Sequence, residues 1–106
     1  MDEHHYQIEI PESFMALYLI GGRIKPTASR AAIAARYELC EDMANHLQEY
    51  ARGRHFDLGI SEDEVLARCH RGLLADGSGL NLDEAAWVIR RLAELSGWEC
   101  PPGIFS

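Results

Sequence analysis

The sequence predicts an all-α fold: a small bundle of three main helices with a short apolar helix before them. Apolar residues recur at steps of three and four along three long stretches. Two of those stretches open on a Ser or an Asn followed three residues later by Glu, the spacing of a capping box. No stretch alternates convincingly between apolar and polar, and residues 6–10, "YQIEI", are the one candidate for a short strand. We read residues 1–106 as a single helical domain, with 1–9 and 99–106 as tails.

The short helix comes first. Pro11 has its φ preset for a first helical position, and in "PESFMALYL" the residues Phe14, Leu17 and Tyr18 share a face. Gly21 and Gly22 stop it, and Lys25 is held extended by the proline that follows. Thr27 or Ser29 then caps the longest helix, which runs to about Ala51. Its seam is Ile33, Tyr37, Cys40, Ala44, Leu47 and Ala51, widened by Met43 and Tyr50. Glu38, Glu41, Asp42, Asn45, Gln48 and Glu49 fall mostly on the solvated side. "RGRHFDLGI" reads as a basic loop punctuated by glycine.

Ser61 and Glu64 have capping-box spacing and open a helix to about Ala75, with Val65, Leu66, Cys69 and Leu73 facing inward. Asn81 and Glu84 repeat the device for the last helix, whose inner face is Leu82, Ala85, Ala86, Ile89, Leu92, Ala93 and Ser96. Gly97 ends that helix, and "CPPGIFS" cannot continue it.

Between these two helices, "LLADGSGLNLDEAAW" has the look of a calcium loop. With Gly79 at position 6 of such a loop, Asp76 and Ser78 take positions 3 and 5, but positions 1 and 12 become Leu74 and Ala85. Both charged anchors are missing, so the stretch is a turn leading into a helix cap.

Composition narrows the function classes. The chain has 106 residues, a net charge of −7 and 25% charged side chains. Nine of its ten basic residues are arginine. An acidic surface repels a phosphate backbone, which makes nucleic acid a poor partner. Cys40, Cys69 and Cys100 are odd in number and widely spaced, as in reduced cytoplasmic thiols. The opening "MDEHHYQIEI" is acidic where a signal peptide is basic, and the longest apolar run is too short for a membrane span.

The sequence calls for no cofactor, no metal and no catalytic group. No cysteine or histidine pair has C-x-x-C or H-x-x-x-H spacing, and the adjacent Cys69 and His70 diverge by about 100° on a helix. "GGRIKP" lacks the spacing of a phosphate-binding loop. Arg90 and Arg91, with Trp87 and Trp98, offer a conceivable anion or partner surface, though Arg90 and Glu94 one turn apart fit a solvated helix face.

Residues 10–47 contain "ESFMALYL", then Gly22-Arg23 and Lys25-Pro26, then "AARYELCEDMA". In texture and order this segment resembles a group of small proteobacterial proteins labelled ATPases with chaperone activity. The resemblance implies a chaperone-associated role; no nucleotide-binding loop accompanies it.

The leading expectation is a small acidic adaptor or regulator that is not an enzyme and works by protein–protein binding, with a different protein or as a homodimer. Its partner-binding residues are expected in the short helix: Phe14, Met15, Leu17, Tyr18 and Leu19. That segment has too few polar positions for a surface helix, leaving only Glu12, Ser13 and Ala16. Two alternatives stand beside it. One is a metal- or thiol-dependent regulator or enzyme using Cys69 and His70 or Cys40 and His46. The other is a DNA-binding regulator using Arg52, Arg54 and His55.

Overall fold

A computed structural model describes residues 9–19, 28–75 and 77–101. Among them every regular element is helical. Helix α1 (Glu12–Met15) continues into a 3-10 turn (Ala16–Tyr18), followed by α2 (Arg30–Leu58), α3 (Glu62–Leu74) and α4 (Leu82–Ser96). The all-α expectation holds. The chain divides into two compact units, Met1–Leu39 and Cys40–Ser106.

In the first unit Pro11 sits one place earlier than expected, outside α1. Its ψ is 148°, and its carbonyl accepts from the amides of Phe14 and Met15, both at 3.0 Å. The helix ends at Leu19, which is extended, so the stop comes before the glycine pair. Gly21, Gly22, Lys25 and Thr27 lie outside the described residues. Phe14 is fully buried, with the rings of Tyr18 and Tyr37 at 5.8 and 5.6 Å. Ser29 supplies the α2 cap, its hydroxyl accepting from the Ala32 amide at 3.1 Å. Ile33, the first seam residue, is buried.

The second unit holds the larger core. Cys40, Ala44 and Ala51 of α2, Val65, Leu66, Cys69 and Leu73 of α3, and Ala85, Trp87, Val88, Ile89, Leu92 and Ala93 of α4 are all buried. The α3 face is the one the heptad steps predict; along the α2 seam Tyr37 and Leu47 are only half-buried, and Tyr50, expected to widen the stripe, is 51% exposed.

Local rules account for the ends. Ser61 accepts from the Glu64 amide at 3.1 Å, but Glu64 turns its carboxylate to Arg68 and Arg71, so only half of that capping box forms. The box at α4 is complete: Asn81 Oδ1 accepts from the Glu84 amide at 2.8 Å, and Glu84 Oε1 accepts from the Asn81 amide at 3.1 Å. Gly97, at φ +73°, closes α4, with the Gly97 and Trp98 amides donating back to the Glu94 and Ala93 carbonyls in Schellman geometry.

Three expectations are corrected. The supposed loop after Ala51 is helical through Leu58. Gly53 costs a helix interior only about 1 kcal/mol, and the true stop is Gly59, which has the positive φ (+64°) that Gly53 lacks. Glu41 and Gln48 are not on a solvated side: Glu41 pairs with Arg91, and Gln48 Nε2 donates to the Leu95 carbonyl at 2.9 Å. Leu82 is 72% exposed, because the first residue of α4 precedes the turn that packs; Trp87 and Val88 are buried in its stead.

Candidate functional site

The last two turns of α2 place Tyr50, Arg54 and Leu58 at steps of four, on one stripe of the helix. The Arg54 guanidinium lies over the Tyr50 ring, 4.9 Å from its centre, a cation–π arrangement. Gly59 then reverses the chain. Beyond it His55 Nδ1 donates to the Ile60 carbonyl at 2.7 Å, which fixes the Nδ1-protonated ring, and the imidazole stands edge-on to Trp98 at 5.3 Å. These contacts tie the end of α2 to the turn before α3 and to the residues after α4.

The corner so formed encloses a cleft of about 230 Å³ lined by Tyr50, Arg54, Leu58, Ile60, Val65 and Arg68. Buried Val65 is its floor. Tyr50 and Leu58, 51% and 49% exposed, stand at its rim. Arg68 donates Nε to Glu64 at 2.9 Å, and that hydrogen bond, ahead of the nearby charges, holds the Glu64 carboxyl below the usual carboxylate range. Arg54 has no hydrogen bond or ion pair among the described residues; its cation meets only the Tyr50 ring.

The residues expected to bind a partner lie elsewhere. Phe14 is fully buried. Met15, Leu17 and Tyr18 are half-buried, and Leu19 is just exposed. Ile20 lies outside the described residues. Aromatic and aliphatic surface is laid open instead along the end of α2, where Phe56 is 85% exposed. Phe56 follows Arg54 by two residues, roughly 200° around the axis, so it is not part of the cleft. Sequence reasoning missed the cleft because it ended α2 at Ala51. The available signal was the Tyr-x-x-x-Arg-x-x-x-Leu spacing running through Gly53.

The other candidates resolve individually. Cys40 and Cys69 are buried, and burial pushes the Cys69 thiol above its ordinary range, away from a nucleophilic thiolate. Burial likewise lowers the His70 imidazole. The partly buried Cys100 thiol is also raised, by desolvation first, with Arg90 and Asp63 acting in opposite senses. Among the described residues no three His, Cys, Asp or Glu side chains gather as a metal would require. In the calcium-like stretch, the Ser78 hydroxyl donates to the Leu73 carbonyl at 2.6 Å and accepts from the Leu80 amide at 3.1 Å, so it serves as a turn residue. Asp76 lies outside the described residues.

Arg91 is engaged with Glu41 and Glu94, and Trp87 is buried. Arg52 and Arg54 are both exposed but point to different sides of α2, so the expected basic loop is not one patch. No described helix is long and apolar enough to cross a membrane. Comparison of the chain with family models, curated proteins and solved structures finds no match.

Proposed function

We propose that this chain is a small protein-binding adaptor, not an enzyme, and that it receives its partner at the α2–α3 corner. The observation that carries this reading is the pairing of half-exposed Tyr50 and Leu58 with buried Val65 and an arginine whose guanidinium lies over an aromatic ring. Tyrosine and arginine are the residue types that most often dominate binding energy at interfaces, and they do so around apolar pockets. The resemblance of residues 10–47 to chaperone-labelled proteins suits an accessory role of this kind.

The partner is a different protein or a second copy of the chain. The test replaces Tyr50 and Leu58 together by glutamate. Both side chains stand at the rim, so the helical circular dichroism and the melting temperature should change little. Sedimentation of the pure protein and affinity capture from the native cytoplasm should both be compared with the unmodified chain. Loss of association with the fold intact supports the corner. Loss caused instead by Met15→Glu with Leu19→Glu moves the interface to the short helix. If the unmodified protein neither self-associates nor captures a partner, the adaptor reading is wrong.

A further inference from the structure

We infer that the α2–α3 corner recognises a segment of a partner protein in which one large apolar side chain stands beside a carboxylate. This deepens the adaptor reading and rests on it.

The cleft's size selects the apolar half. About 230 Å³ is below the roughly 300–1,000 Å³ of sites that enclose a drug-sized ligand. It suits a single leucine, methionine or phenylalanine side chain. Val65, Leu58 and Ile60 supply the apolar part of the lining, against which the inserted group packs, and Arg54 and Arg68 supply polar surface beside it.

Charge selects the other half. Arg54 stands at the same opening and has no acidic partner among the described residues. The Arg54 guanidinium lies over the Tyr50 ring, 4.9 Å from its centre, and its N–H groups can meet a planar carboxylate with two parallel hydrogen bonds. Arg68 brings a second guanidinium to the cleft, with its Nε on Glu64. The chain as a whole carries −7, so an acidic segment is repelled over most of the surface and welcomed here. A local cation on an acidic protein therefore sets the register as well as the affinity.

The experiment pans a phage-displayed library of random dodecapeptides against the whole protein. Enriched sequences are then synthesised with a fluorescent label and titrated by anisotropy. The expected binders carry Asp or Glu within two positions of Leu, Ile, Met or Phe. Arg54→Gln should weaken them about tenfold, with Arg54→Lys recovering only part, because lysine cannot present the bidentate edge. Changing the peptide's acid to its amide should cost about as much, and little more when combined with Arg54→Gln, since the two groups act on each other.

Binders without an acid, additive losses from the two changes, or a library that yields no binder would each overturn the inference. So would a labelled single-stranded oligonucleotide whose binding requires Arg54, which would point to phosphate. Capture of a cellular partner that survives Arg54→Gln leaves the adaptor reading standing and removes this one.

Discussion

Arg91 of α4 grips Glu41 of α2 with one edge of its guanidinium: Nε lies 2.9 and 3.2 Å from the two carboxylate oxygens, and Nη2 lies 3.0 Å from Oε2. Nη1 reaches Glu94 at 3.2 Å. The hydrogen bond that Arg91 donates to Glu41, more than any other contact, raises the Arg91 pKa, so the cation is fixed at every accessible pH. Both side chains are partly shielded from water, and the geometry is bidentate, which places the pair near the top of the range for surface ion pairs. Glu41→Gln should lower stability by about 1 kcal/mol in urea denaturation. Arg91→Lys should cost a similar amount despite keeping the charge, because the fork is lost. No change for either would mean the contact contributes nothing measurable.

Two glycines six residues apart should respond with opposite signs. Gly53 lies inside α2 and an added Cβ would meet no heavy atom within 4 Å. Gly53→Ala should therefore stabilise by about 0.5–1 kcal/mol. Gly59 has equal room, but its φ of +64° is one that an alanine rarely adopts. Gly59→Ala should destabilise by about 1 kcal/mol, read as a drop in melting temperature. A stabilising Gly59→Ala would show that α2 runs on past Leu58.

Leucine truncation separates the core from its rim. Leu66 is fully buried, and Leu66→Ala should cost about 2–5 kcal/mol. Leu82→Ala, at a 72% exposed site, should stay within about 0.5 kcal/mol of the parent. Equal losses at the two positions would mean that Leu82 docks on something in solution.

These two leucines mark what periodicity could and could not convey. The three- and four-residue steps placed Ile33, Cys40, Ala44, Ala51, Leu66, Leu73, Ile89 and Leu92 correctly, since a repeating apolar stripe has only one way to face a core. Leu82 fits the same phase but sits at the first position of its helix, where the stripe has nothing to pack on. Phase alone carries no information about where packing begins. The cleft was invisible for a related reason. Gly53 looks like punctuation in isolation, and only the neighbours that hold the end of α2, Ile60 and Trp98 against His55, decide otherwise. The short helix was recognised, yet its most apolar residue, Phe14, turned inward; composition signals that a segment must be covered, not by what.

Acid should weaken the fold through His70 before it does so through the carboxylates. Burial lowers the imidazole pKa below its ordinary range, so the folded state binds the proton less readily than the unfolded chain. The unfolded state carries the extra proton in that window, and stability rises with pH across it. The contribution is complete above the ordinary histidine range and is lost as pH falls through it toward the lowered value. His70→Gln should flatten this part of the stability–pH curve in denaturant titrations. A parent curve already flat there would rule the histidine out. Glu64, whose pKa is also lowered, acts later, at pH below the ordinary carboxylate range.

Calcium should be without effect. Ser78 spends its hydroxyl on the Leu73 carbonyl and the Leu80 amide, and Asn81 spends its side chain on the Glu84 amide. Millimolar calcium should leave the melting temperature where it is, and a saturable rise would show a site in this turn.

The contact between His55 and Trp98 gives the molecule a built-in optical reporter. His55 is fastened to the Ile60 carbonyl, Ile60 lines the cleft, and the imidazole and indole ring centres lie 5.3 Å apart. Whatever enters the corner and shifts that backbone also changes the surroundings of one of only two indoles in the chain, and the other, Trp87, is sealed in the core. Emission from Trp98 can therefore follow occupancy of the corner in the unlabelled protein, and Trp87→Phe would leave that signal almost alone.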